Sequence, residues 1–268
     1  MAAFNEIEPA ALWRLIETAQ PPLILDVRLA EDIAADLTVL PLARSVAFDD
    51  LPAMLSSAND ASDETLVYCQ KGLKLSMGVA AQLRSAGRKA TVLTGGHFGW
   101  RDAVLPLLPL NAVPKLATST PTSWVTRHRP KIDRVACHWL VRHFVDSNAQ
   151  FLFVAPSQVL NVADRFAATA FDVDGAPLGH QSNRCTFDAL LGHFGLETPA
   201  LAKLANIIRA ADLGTPDAVP EARGLLAISL GLSRIHRDDN QQCEAAFPAY
   251  DALFRWVLDA QNETHTHD

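Results

Sequence analysis

The sequence predicts an α/β protein in two parts, a parallel sheet flanked by helices followed by a mainly helical α+β domain. Three observations predict it. Short β-branched runs alternate with helical patterns in the first part of the chain. A stretch rich in Thr, Ser and Pro, from about Pro109 to Ser123, then interrupts all periodicity. Beyond it, apolar residues recur mostly at helical spacing. Strands that alternate with helices can bury both faces of a parallel sheet, so the pattern itself specifies the architecture.

Taken in order, apolar residues at helical spacing place a helix over Glu8 to Thr18, ahead of a first strand at Leu23–Val27. Further strands fall at Ser45–Phe48, Leu66–Tyr68 and Ala90–Leu93, and the clearest intervening helix is Gly78–Ala86. The aperiodic stretch reads as a linker, residues 111–123, between a domain over 1–110 and a second over 124–262. In the second domain Lys131–Asp146 carries apolar residues at 132, 135, 136, 139, 140 and 144, one helical face, with Pro130 suited to the first turn. Phe151–Val154 and Ala170–Val173 read as short strands around a helix near Gln158–Phe166. Thr186 or a neighbour can cap a helix over Phe187–Phe194. Helices follow at Pro199–Ala211, Pro220–His236 and Gln241–Asp259, and residues 263–268 are expected to be a disordered tail.

With 268 residues, 49% hydrophobic and 20% charged, the chain can fill a core, which excludes disorder over most of its length. No apolar run reaches the roughly 18 residues that span a bilayer, and Met1–Glu6 lacks the basic and apolar regions of a signal peptide. Cys69, Cys137, Cys185 and Cys243 lie far apart without a Cys-x-x-Cys pair, which suits free thiols in a cytoplasmic protein with no membrane partner. A net charge of −7 disfavours a general nucleic-acid surface, so DNA is not an expected partner.

The chemistry concentrates in Thr65–Ser76, where a strand delivers Cys69 into a loop with Gly72, Lys71 and Lys74 before a helix. In an open parallel sheet, ligands bind beyond the carboxyl ends of strands. A helix N-terminus and two lysines there favour a thiolate, making Cys69 a candidate nucleophile. The other reading is a buried cysteine that only packs.

This loop resembles the active-site loop of the rhodanese family of sulfurtransferases through Cys69, Gly72 and Ser76. The likeness extends to Leu23-Ile-Leu-Asp-Val-Arg28 and to Val92-Leu-Thr-Gly-Gly-His-Phe-Gly-Trp100, which is similar to the family's Gly-Gly-x-x-x-Trp element. Leu40-Pro-Leu-Ala-Arg-Ser-Val stands where the family commonly has a His-Ile-Pro-Gly-Ala-like stretch. The resemblance implies persulfide formation on Cys69 from thiosulfate or another sulfur donor, with transfer to a thiol acceptor and no cofactor. It also implies substrate contacts from Gln70, Lys71, Gly72, Leu73, Lys74, Leu75 and Ser76, with Asp26 and Arg28 in support.

A second constellation begins with Arg127, His128, Arg129, Lys131 and Arg134, five basic residues in eight positions. An oxyanion site at a helix N-terminus accounts for them, as does a solvated basic turn paired with acids such as Asp133 or Glu221. Asp172, His180, Cys185 and Asp212 are of types that bind metal or move protons, although their spacing matches no standard ligand pattern. From Trp124 to about Ala260 the chain resembles the C-terminal domain of ChrB-type chromate resistance proteins. The runs that carry this are Trp124–Phe144, Phe151–Val154, Phe171–Val173, Arg184–Asp188 and Gly224–Arg234. The resemblance implies oxyanion binding, with chromate a candidate partner and Arg127, Arg134 and His180 the expected contacts. Arg127 and Arg134 are seven apart, close to two helical turns, so both could face one ligand. The alternatives are a non-catalytic chromate-responsive regulator that uses the first domain for docking, and a metal-dependent enzyme in the second domain.

Overall fold

The computed structural model describes residues 5–47, 50, 64–113 and 120–263, and they divide into two compact units. The first is a five-stranded sheet in which every pairing is parallel. Its strands are β1 (Glu6–Ile7), β2 (Leu23–Asp26), β4 (Ala43–Ser45), β5 (Thr65–Tyr68) and β6 (Ala90–Leu93), in the order β1-β6-β5-β2-β4. A separate antiparallel pair joins β3 (Thr38–Val39) to β7 (Leu108–Pro109). The helices are α1 (Pro9–Ile16), α2 (Ala30–Ala35), α3 (Lys74–Ser85) and α4 (Gly96–Asp102). β5 is buried at all four positions, as a central parallel strand covered on both faces must be. Leu25, Val67 and Val92 meet Val79, Ala80 and Leu83 of α3 in the core.

One expectation is corrected here, and two strand pairings go beyond the sequence reading. The strand placed at Ser45–Phe48 is Ala43–Ser45, because register with Ile24–Asp26 sets it earlier; Phe48 lies outside the described residues. β1 was not anticipated, being only two residues long and defined by its pairing to Val92 and Leu93. The antiparallel β3–β7 pair was also missed.

In the second unit β8 (Ser123–Arg127) is the centre of a parallel three-stranded sheet, between β10 (Thr169–Ala170) and β9 (Gln150–Val154). The helices are α5 (Ile132–Leu140), α6 (Val159–Phe166), α7 (Thr186–Phe194), α8 (Pro199–Asp212), α9 (Pro220–Ile235) and α10 (Asp239–Arg255). Successive side chains of β8 take opposite faces, as strand geometry requires. Trp124 lies among Phe151, Phe171 and Phe194, while Val125 packs with Val159 and Ala170.

The helix expected over Lys131–Asp146 is α-helical only to Leu140 and continues as a π-helical turn, Val141–Val145. Gln241–Asp259 likewise ends in a π-helical turn, Trp256–Ala260. The strand expected over Ala170–Val173 stops at Ala170, since Asp172 has a left-handed backbone (φ 52) incompatible with a continuing ladder. β8 begins at Ser123, inside the stretch read as linker, of which residues 114–119 lie outside the described set, as do residues 264–268 of the expected tail. Among the described residues no helix is long and apolar enough to cross a membrane.

One core residue of the second unit should oppose folding in acid. His138 of α5 stacks on Phe151 at 3.7 Å between ring centroids and meets Phe247 edge-on. Its Nδ1 has no hydrogen-bond partner among the described residues. Burial, and secondarily Arg142, push its pKa down to about 3. In the unfolded chain a histidine protonates near pH 6.5, so the folded state's advantage is complete above that pH and is lost as pH falls toward 3. The loss due to His138 alone between pH 7.5 and pH 5 is about 2 kcal/mol, partly offset by Asp212 and His180, whose raised pKa values favour the folded state as pH falls. His138→Leu should flatten this slope in urea titrations at the two pH values; an equally steep slope in the variant would refute the assignment.

Candidate functional site

Cys69 follows the carboxyl end of β5 and sits 7% exposed at the bottom of the loop that leads into α3. Its Sγ lies 3.2 Å from Ser76 Oγ, and the Ser76 hydroxyl is also 3.1 Å from the Leu73 carbonyl oxygen. Burial raises the thiol pKa, but hydrogen bonds from the Ser76 hydroxyl and from the backbone N–H groups of Ser76, Leu73 and Lys71 outweigh it and leave the pKa below the ordinary cysteine value. The N–H groups at the start of α3 thus solvate the sulfur. Lys71, Leu73 and Lys74 are exposed around the loop, Leu75 is half-buried, and the Gln70 amide oxygen is buried with no partner among the described residues.

The floor of the loop comes from the turn after β6. His97 N–H donates to the Cys69 carbonyl at 3.0 Å and Phe98 N–H to that of Gln70 at 3.1 Å. This approach requires glycines: a Cβ on Gly96 (φ +58) would lie 2.2 Å from the Cys69 carbonyl oxygen, and one on Gly72 (φ +66) 2.5 Å from that of Leu93. Trp100, fully buried, donates from Nε1 to the Pro106 carbonyl at 2.8 Å and anchors the element.

Asp26 and Arg28 lie beside this loop and are engaged with each other. The Asp26 carboxylate accepts from Arg28 N at 3.0 Å, Nε at 3.0 Å and Nη2 at 2.8 Å, and from the Tyr68 hydroxyl at 2.8 Å. Arg28 Nη2 also donates to the Thr38 carbonyl at 2.7 Å. Burial and Asp26 hold the Tyr68 pKa well above its usual value, so its hydroxyl stays a donor. The arrangement locks the ends of β2 and β5 together immediately before Cys69.

In the second unit, residues from five segments converge beyond the carboxyl ends of β8 and β10. Asp172 accepts from Arg127 Nη2 at 2.8 Å and Arg134 Nε at 3.0 Å through Oδ2, and from the Thr186 hydroxyl at 3.2 Å through Oδ1. Asp133 accepts from the Thr186 and Phe187 N–H groups at 3.0 and 2.9 Å, capping α7 from another helix. His180 Nε2 stands 3.2 Å from Asp133, 3.4 Å from Asp172 and 3.5 Å from Asp212. The Asp133 hydrogen bond chiefly, with all three carboxylates, raises the His180 pKa. Burial, then Asp133, push Asp212 up to about 6. Arg127, Asp172 and His180 line an open cleft of about 580 Å³ together with Val173–Pro177 and Pro156.

Arg127 and Arg134 do converge, but not along one helix. Arg127 ends a strand, Arg134 lies in the first turns of α5, and Arg129 with a left-handed backbone turns the chain between them. Arg134 also donates to the Arg127 and His128 carbonyls, both at 3.0 Å. Of the residues named for metal chemistry, Asp172, His180 and Asp212 come together. The Cys185 thiol is instead 3.3 Å from Asp188, whose carboxylate also accepts from the Cys185 N–H at 3.0 Å. Asp133 was read only as an ion-pair partner for the basic turn. It lies off the apolar face read from the sequence, and only the structure shows it buried in the first turn of α5.

Comparison with known proteins agrees with this division. The rhodanese-like domain family matches residues 8–103, and the family described as ChrB, C-terminal domain, matches residues 124–257, half of the chain. Protein ChrB of Cupriavidus metallidurans is 42% identical over 119 residues, 43% of this chain and 35% of that protein's length. Solved structures with similarity include a rhodanese-like domain protein from Staphylococcus aureus, 27% identical over 36% of this chain and 91% of that one, with a TM-score of 0.32. Another, from Lactobacillus plantarum, is 26% identical over 38% of this chain and 87% of that one, with a TM-score of 0.34. The chain belongs to the ChrB C-terminal domain family and carries a rhodanese-like domain ahead of that domain.

Proposed function

We propose that the protein is a sulfurtransferase acting in chromate resistance, with Cys69 as the sulfur carrier. The observation that carries this reading is a buried thiol at the carboxyl end of β5, in the loop that leads into α3, with its Sγ 3.2 Å from the Ser76 hydroxyl. The Cys69 thiolate attacks the outer sulfur of a donor such as thiosulfate. The donor's S–S bond breaks, sulfite leaves with the electron pair, and a persulfide remains on Cys69. An acceptor thiolate, or cyanide, then takes the outer sulfur and restores the thiolate. The same N–H groups stabilise the persulfide anion, while exposed Lys71 and Lys74 draw a dianionic donor to the loop.

The second domain would supply oxyanion binding. Arg127 favours this reading, because its side chain is 40% exposed and lines the cleft even while paired to Asp172. A chromate-sized dianion entering there would compete with Asp172 for that guanidinium.

The experiment is intact mass after incubation with thiosulfate or mercaptopyruvate. A gain of one sulfur is expected in the wild type and not in Cys69→Ser. Alkylation of Cys69 by iodoacetamide should have its pH midpoint below that of an ordinary cysteine, and Ser76→Ala should move it upward. Absence of an adduct with both donors would leave the first domain as a docking module in a non-catalytic regulator.

A further inference from the structure

We propose that the second domain binds one divalent cation of the Mn²⁺ or Fe²⁺ class between Asp133, His180 and Asp212, with Asp172 as a fourth donor. This is independent of sulfur transfer at Cys69.

The ligand atoms of Asp133, His180 and Asp212 all lie within 4.8 Å of one another, and they form the one group of this kind among the described residues. They arrive from α5, a loop and the end of α8, so no local hydrogen-bonding motif brings them together. Hydrogen bonding also leaves the geometry unexplained. A single N–H has one good acceptor direction, yet His180 Nε2 has carboxylate oxygens of three residues at 3.2, 3.4 and 3.5 Å. Those are the spacings of neighbouring donors around a metal: bonds of about 2.1 Å put adjacent ligands about 3.0 Å apart in an octahedron and about 3.4 Å in a tetrahedron.

Charge leads to the same place. Asp172 is met by Arg127 and Arg134, which leaves Asp133 and Asp212 as two negative charges facing one imidazole. A neutral imidazole and two carboxylates balance a dication. Oxygen donors with one nitrogen suit Mn²⁺ or Fe²⁺ better than a thiolate-preferring ion. Cys185, the nearby thiol, meets Asp188 at 3.3 Å and also interacts with Asp133, and its sulfur is not among the converging ligand atoms. Asp133 is held by the Thr186 and Phe187 N–H groups and Asp172 by two arginines, the outer contacts that orient metal ligands. His180 and Asp172 both face the cleft, so coordination positions stay open to water or an anion beside Arg127.

The test uses the full chain, stripped with a chelator and titrated with Mn²⁺ while free Mn²⁺ is followed by electron paramagnetic resonance. One ion per chain is expected. His180→Ala and Asp212→Asn should each weaken binding at least tenfold. Cys69→Ser should bind like the wild type. Both site residues are partly exposed, so the variants are expected to fold, which circular dichroism checks. Should either fail to fold, the bound ion in the wild type still decides the matter through its nitrogen coupling, expected from a single imidazole. Absence of saturable binding, unchanged affinity in the folded variants, or bound Mn²⁺ without nitrogen coupling would each overturn the site.

Discussion

Truncation of Asp26 to alanine is expected to destabilise the first domain by about 3–5 kcal/mol, because it leaves Arg28 charged and buried without its partner. Both side chains have no solvent exposure, and the carboxylate joins the Arg28 guanidinium to the Tyr68 hydroxyl. Asp26→Asn should cost less, since the amide oxygen still accepts one of these donors. Hydrogen exchange gives the measurement: protection of the β5 amides should fall by the stated amount while that of β8 holds. Unchanged β5 protection in Asp26→Ala would mean that Arg28 finds another way to keep its charge in the core. Cys69 follows Tyr68 directly, so the same variant should blur the loop and raise its thiol pKa.

Substitution of Gly96 by alanine should have a comparable effect from another direction. A left-handed backbone costs a residue with a Cβ about 1–2 kcal/mol, before any contact is counted. The added methyl would lie 2.2 Å from the Cys69 carbonyl oxygen and 2.4 Å from the Gly72 nitrogen, both backbone atoms that no rotamer change can move. The loop must therefore lift from the β6 turn, breaking the 3.0 Å hydrogen bond from His97 N–H. A lower urea midpoint and loss of at least tenfold in Cys69 alkylation at neutral pH are expected together. Wild-type values for both would show that the two turns are not in contact. Gly87, also left-handed but with open space around its Cβ position, provides the control: Gly87→Ala should destabilise without touching the thiol.

What could be read from the sequence was what is local. Strand, thiol, glycine, serine and helix occupy Thr65–Ser85 without interruption, so hydrophobic pattern and loop composition single out the Cys69 loop as a candidate site. The Gly96 floor arises 27 positions later, and no periodicity relates it to Cys69; only the likeness to a known closing element singled it out. The second cluster was legible as residue types and not as geometry. Arg127 and Arg134 were paired on the basis of helical spacing, whereas a strand end and a tight turn bring them together on Asp172. Asp133 reads in the sequence only as an ion-pair partner of the basic turn, because a charged residue at a helix start ordinarily faces water, and nothing local announces that it will cap α7. Elements of two residues, such as β1, carry too little pattern to be seen without their partners.

The four thiols described above are not chemically equivalent. Cys137, Cys185 and Cys243 all have pKa values raised by burial, so they persist as unreactive thiols at neutral pH, and Cys69 alone is shifted toward the thiolate. Oxidants attack thiolates, which makes cysteine oxidation in this molecule chiefly a property of the Cys69 sulfur. Under an oxidant the proposed sulfur carrier would then be the thiol that is attacked while the interior thiols were spared. A sulfur already resting on Cys69 would act as a cap, since the outer atom of a persulfide oxidises in place of the cysteine and can be removed by a reductant.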